Sequence, residues 1–149
     1  MSTHPYRDGT TGVLKNKLGI MDAGELREQE YQVTRIRLLE LQTKPIPGEF
    51  DLAHLKAIHK HVFQDIYAWA GQERDINVSK KSLTEPGYKT VFTDRDGIAE
   101  QGRAAQAATP DIDTLRKMDS DAFALTVAKV HAAWNEAHPS CRPGRDGCS

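Results

Sequence analysis

From Asp51 to Gly71 the chain carries an apolar pattern that only a helix packed on more than one side can satisfy. Leu52, Leu55, His59, Val62, Ile66 and Trp69 recur at steps of three and four, which puts them on one helical face. Ile58, Phe63, Tyr67 and Ala70 make a second apolar edge beside that stripe. A helix this apolar around its circumference belongs at the centre of a core, so a central helix is expected over residues 52–69. Asp51 serves as its N-cap and Gly71 ends it.

The rest of the chain supplies elements to pack against that helix. Val13 to Ile20 is a short helical candidate closed by Gly19, and residues 1–12 are polar and turn-rich, an expected N-terminal arm. Asp22, with Glu25 three residues on, starts a longer helix running to about Thr43. Leu26, Val33, Ile36 and Leu39 point inward on it, with Glu28, Glu30, Arg35 and Arg37 on the solvated face, and Pro45 to Gly48 closes it. Arg74 to Ser79 alternates polar and apolar, Lys80 to Gly87 reads as a turn, and Tyr88 to Thr93 alternates again, the pattern of a small β-hairpin. Helix resumes near Asp94, Pro110 interrupts it, and Asp119-Ser120 caps a last helix. On that helix Phe123, Val127, Val130 and Trp134 share a face, which predicts burial, and Pro139 stops it just after His138. The fold expected is all-α with a β-hairpin, in one domain spanning residues 1–149.

Several function classes are disfavoured at once. A net charge of −1 gives no global field to attract nucleic acid or an anionic membrane, and no apolar run approaches the length of a bilayer span. The N-terminus lacks the hydrophobic region of a signal peptide. Cys141 and Cys148 are the two cysteines and both lie in the last nine residues, so no disulfide framework is expected and a reducing cytoplasm is the expected compartment. Metal binding is weakly signalled: His61 and Asp65 share a helical face but His54 and His59 diverge, and the Cys141/Cys148 spacing beside His131 and His138 matches no common zinc pattern. No metal ligand is assigned. A histidine at a helix C-terminus followed by a loop rich in Gly, Arg and Pro is either a helix-capping group or a base beside an anion-binding nest.

Three segments carry a resemblance. Ile58-His59-Lys60-His61-Val62-Phe63-Gln64-Asp65-Ile66-Tyr67-Ala68-Trp69-Ala70-Gly71-Gln72-Glu73-Arg74 resembles the IHxxLFqdiYdWAGxxR helix of Fic-domain proteins. Val13 to Ile20 resembles the vLrNkLgi segment of bacterial members, and Asn135-x-x-His138-Pro139 falls where the family places NxxHPF, the start of its motif HPFx(D/E)GN(G/K)R. The resemblance implies an all-α fold with a β-hairpin flap and a protein adenylyltransferase that moves AMP from ATP to a hydroxyl side chain of a target protein. It implies His138 as general base, a nest of backbone N–H groups for the phosphates, an acidic residue holding Mg²⁺, and a flap that aligns the target by strand addition. In this chain the flap residues are Ser79, Lys80, Thr90 and Val91. A small antitoxin partner is implied as well, because the inhibitory (S/T)xxxE(G/N) motif is not found in the chain. A Doc-like protein kinase of the same fold is the lesser alternative.

After Pro139 the correspondence breaks. Ser140 stands at the motif's Phe and Arg142 at its acidic position, with Pro143, Gly144, Arg145 and Asp146 over the Gly-Asn-Gly-Arg stretch. Gly144 and Arg145 match the nucleotide-binding Gly-Arg only after a one-residue deletion. Residues 140–149 thus read as an aberrant tail, a reading-frame shift or truncation near codon 140 with the following helices missing. Weak transfer, or a catalytically dead remnant acting as a binding module, is the expectation.

Overall fold

A computed structural model of the chain describes residues 5–77, 79–81, 84–137 and 139. Among these, five α-helices run in the order α1 (Ala23–Thr43), α2 (Leu52–Phe63), α3 (Ile98–Ala107), α4 (Ile112–Arg116) and α5 (Ser120–Ala137). An antiparallel pair, β1 (Ser79–Lys81) and β2 (Lys89–Val91), interrupts the helices between α2 and α3. Its register sets Ser79 opposite Val91, Lys80 opposite Thr90 and Lys81 opposite Lys89. Four helices begin on an aspartate whose carboxylate accepts a backbone N–H of the first turn: Asp22 from Glu25, Asp51 from His54, Asp111 from Thr114 and Asp119 from Ala122. The α4 turn was not anticipated from the pattern, although its Asp111 cap follows Pro110 directly. Among the described residues no helix is long and apolar enough to cross a membrane.

The central helix is shorter than its apolar stripe. It ends at Phe63, whose carbonyl accepts from both Ile66 and Tyr67 N–H, at 3.0 Å each, so the backbone tightens into turns rather than continuing. The turn delivers Ile66, Tyr67 and Ala70 into the core with Val13, Leu14 and Leu26. His59 secures it: its Nδ1 accepts the Gly71 N–H at 2.9 Å. Gly71 has φ of 78°, and a Cβ there would lie 2.5 Å from Lys60 Cβ and 3.0 Å from the Lys56 carbonyl. Left-handed strain and a close approach add at this position, so Gly71→Ala should cost about 1–3 kcal/mol, read as a fall in the urea midpoint at constant m.

Three other expectations are corrected. Val13–Ile20 is not helical. Leu14 bridges to Arg7, and Asn16 occupies the backbone groups a helix would use: its Nδ2 donates to the Leu14 and Ile20 carbonyls at 2.9 and 2.8 Å, and its Oδ1 accepts Ile20 N–H at 3.0 Å. Residues 5–12, expected as an arm, are tied down: Asp8 N–H donates to the Val13 carbonyl at 2.7 Å, and Tyr6 meets Trp69 edge-on at a centroid distance of 5.4 Å. On α1, Leu26 is buried and Val33 half-buried, but Ile36 and Leu39 are exposed.

The polar side of α1 does more than meet solvent. Glu30 accepts the Tyr67 hydroxyl at 2.7 Å, and Arg37 grips Asp65 through Nε and Nη2 at 2.7 and 3.0 Å. Hydrogen bonding to Arg37 holds the Asp65 carboxyl below its ordinary range. That contribution is present above the unfolded-state pKa and is lost as pH falls through the depressed folded value. Both side chains are partly exposed, which keeps the effect small. Asp65→Asn should therefore lower the melting temperature slightly near neutrality, and the deficit should vanish as pH falls through the acid limb.

Small residues let the remaining helices approach closely. Ile98, Gly102 and Ala105 on α3 lie at steps of four and three and are all buried. The Gly102 site is bounded by Leu52 of α2 and Trp134 of α5. The expected burial of α5 is otherwise corrected: Val130 and Trp134 are half-buried, whereas Phe123 and Val127 are exposed.

Candidate active site at the end of α5

The loop after α2 and the segment after β2 converge on the last turn of α5. Arg74, only 3% exposed, is where they meet. Its backbone N–H donates to the Pro139 carbonyl at 2.9 Å. Its guanidinium donates through Nη1 to the Ile76 carbonyl at 2.8 Å and through Nη2 to the carbonyls of Thr93 and, at 3.4 Å, Ala137. Thr93 N–H in turn donates to the Glu136 carbonyl at 3.2 Å. Burial lowers the Arg74 pKa, yet a guanidinium stays charged, and its fork matches several carbonyls at once. Those bonds meet α5 where its last carbonyls lack intrahelical donors and where the helix dipole favours positive charge.

The arrangement is braced from the N-terminal side. Tyr6 donates its hydroxyl to Asp75 Oδ1 at 2.5 Å, and Arg95 Nη1 donates to the Asp75 carbonyl at 2.7 Å. Arg95 N–H is held by Asn77 Oδ1 at 2.8 Å, and Lys56 pairs with Glu73 at 3.1 Å. Tyr6, Trp69, Ile76 and Phe92 are partly buried against one hydrophobic cluster here, with Tyr6 and Trp69 in direct ring contact. The segment 73–77 thus joins α2, the root of the hairpin and the end of α5.

His138 lies outside the described residues, as do Arg142, Gly144 and Arg145. Its two neighbours are described: Ala137 and Pro139 are both buried, and each gives its carbonyl to Arg74. Of the hairpin residues, Ser79 faces Val91 and Lys80 faces Thr90 across the ladder, and Val91 is exposed. The helical histidines serve the fold. His61 Nε2 lies 3.1 Å from Glu40 Oε2, while His54 Nδ1 accepts Phe50 N–H at 3.2 Å and its Nε2 contacts the Ile46 carbonyl at 2.8 Å. His54 and His61 are both engaged, and Asp65 belongs to Arg37 rather than to His61. Among the described residues no cluster of three or more His, Cys, Asp or Glu is placed to hold a metal.

In the sequence Arg74 opens an alternating extended segment and closes the Fic-like motif, with no role of its own assigned. It shares parity with Ile76 and Val78, and that register was the available sign that it faces inward.

No family model matches the chain. Individual relatives do. It is 34% identical over 138 residues to the protein adenylyltransferase VbhT of Bartonella schoenbuchensis, covering 93% of this chain and 27% of that protein. It is 43% identical over 130 residues to the probable protein adenylyltransferase y4lH of Sinorhizobium fredii, covering 87% of this chain and 62% of that one. The chain thus spans less than two thirds of the length of these relatives. Among solved structures, the Fic domain of a Bartonella quintana effector with bound ADP superposes with a TM-score of 0.78 at 27% identity, covering 94% of this chain and 70% of that one. BepC of Bartonella tribocorum with bound AMPPNP superposes with a TM-score of 0.79 at 26% identity, covering 92% and 69%. On this similarity over nearly all of its length, the chain belongs to the Fic-domain protein adenylyltransferase family.

Proposed function

We propose that this domain serves AMP transfer from ATP to a Ser, Thr or Tyr hydroxyl of a target protein in the cytoplasm. The observation that carries this reading is the anchoring of Ala137 and Pro139 to Arg74, on either side of the histidine that matches the family base. His138 takes the proton of the target hydroxyl as that oxygen attacks the α-phosphorus, and pyrophosphate leaves with the electron pair of the broken P–O bond. The hairpin edge at Ser79, Lys80, Thr90 and Val91 aligns the target backbone by strand addition, with Val91 open to solvent. Gly144 and Arg145 are the phosphate contacts, the arginine neutralising charge that develops on the transferring group. The bound ADP and AMPPNP of the two Bartonella domains support a nucleotide as substrate. A small antitoxin-like protein is the proposed regulator.

Mg²⁺ does not fit the residues present. Arg142, at the acidic position of the motif, is a cation without a lone pair to offer, and Pro143 has no N–H to add to a nest. Transfer is expected to be well below that of chains with the full motif. The same two residues favour, as the second reading, a domain that binds partners without transferring AMP. Radiolabelled ATP separates the possibilities. Label from the α-phosphate on a target protein supports AMP transfer, label from the γ-phosphate means phosphoryl transfer as in Doc-like kinases, and neither leaves the binding module.

A further inference from the structure

A cavity of about 170 Å³ lies between the segment that precedes α1 and the start of that helix. Its lining takes nothing from residues 73–77, the hairpin or α5, so it is separate from the candidate active site. The apolar part of the wall is Val13, Leu14, Leu26 and Tyr67, all buried. The polar part carries both signs of charge. Glu30 and Arg27 stand one turn apart on α1 and both line the space. Glu30 is half-buried, and the Tyr67 hydroxyl takes its Oε2 at 2.7 Å, which leaves Oε1 for a further donor. Burial raises the Glu30 pKa, with the Tyr67 bond and the Arg27 charge opposing the rise. Arg27 is exposed and makes no ion pair among the described residues, so its fork is open to a carboxylate. Arg7, whose Nη1 donates to the Gly12 carbonyl at 2.8 Å, adds positive charge from the N-terminal segment.

We infer that this cavity binds a small zwitterionic α-amino acid with an aliphatic side chain. The ammonium donates to Glu30, the carboxylate accepts from Arg27, and the side chain lies against Val13, Leu14 and Leu26. A ligand with only a positive charge meets two guanidinium groups, and one with only a negative charge meets the Glu30 carboxylate. A zwitterion answers both. The size agrees, since the cavity has room for about six waters at ~30 Å³ each, enough for a compact amino acid and too little for a nucleotide.

The test is an NMR titration of the full chain with L-valine, following the methyl resonances of Val13, Leu14 and Leu26. Isobutylamine and isovalerate, which keep the branched side chain but carry only the ammonium or only the carboxylate, are titrated in parallel. The result expected is a saturable shift of those methyls by valine, complete below about 10 mM, with each single-charge analogue at least about tenfold weaker. Arg27→Gln should weaken valine binding about tenfold, and Glu30→Gln by a similar factor while keeping an acceptor for Tyr67. Arg27 is exposed, so its variant decides the matter even if Glu30→Gln does not fold. The inference is overturned if valine gives no saturable shift at these methyls, if either analogue binds as tightly as valine, or if Arg27→Gln binds valine like the wild type. The readout does not involve AMP transfer, so its outcome is independent of the proposed function.

Discussion

Replacing His138 with alanine is expected to abolish AMP transfer while leaving the fold intact. A positioned general base contributes about 10²–10⁴ in rate, and the three histidines of α2 are engaged elsewhere. His54, His59 and His61 are committed to the Phe50 amide, the Gly71 amide and the Glu40 carboxylate, on α2 and its loops. The Arg74 contacts to residues 137 and 139 use backbone carbonyls, so removing the side chain between them leaves the anchoring bonds in place. Stability should therefore change by no more than about 0.5 kcal/mol, as judged by denaturant unfolding. A His138→Ala protein that still labels its target at the wild-type rate would remove His138 from the mechanism.

The largest stability effect is expected at Tyr67. It is 1% exposed and packs with Ile66, Leu26, Val13 and Leu14. Its ring stacks on Trp69 at a centroid distance of 4.5 Å, and its hydroxyl donates to Glu30. Tyr67→Ala should lose about 3–5 kcal/mol, the scale of a large aromatic truncated in a core. Tyr67→Phe isolates the polar part and should lose about 1–2 kcal/mol, because Glu30 is left without that donor. Burial raises the Glu30 pKa, and the bond from Tyr67 opposes the rise. A carboxyl whose folded pKa exceeds its unfolded value opposes folding as pH climbs through the interval between them. The deficit of Tyr67→Phe should accordingly grow on going from acid, where Glu30 is protonated in both states, to neutral pH. Chemical denaturation of both variants across that range checks the size and the sign.

What was legible in the sequence was local. The aspartate caps of α1, α2 and α5 and the breaks at Pro45–Gly48 and Pro110 are chemistry of a few adjacent residues, and each appears where the pattern put it. So does the hairpin, although its strands are shorter than the alternating runs. What was not legible depends on distant partners. Asn16 turns a helical pattern into a pinned loop through bonds to Leu14 and Ile20. The α2 stripe continues to Trp69 because the turn after Phe63 buries nearly the same residues that a further helical turn would. Glu30 and Arg37 looked like solvated charge, since nothing near them in sequence names Tyr67 or Asp65 as their partners. Ile36 and Leu39 satisfy the helical period on α1 yet remain exposed, so periodicity marked a face without saying what covers it.

For the candidate site, the sequence named the residue and the structure supplied its surroundings. His138 was singled out by Pro139 after it and Asn135 before it, whereas the bonds from Arg74 that flank it span more than sixty residues.

The most direct test of the account is mass spectrometry of target proteins incubated with ATP and either the wild-type chain or His138→Ala. The account predicts peptides carrying an adenylyl group on a Ser, Thr or Tyr hydroxyl with the wild type and none with the variant. Equal modification by both proteins, or phosphorylated peptides in place of adenylylated ones, would contradict it.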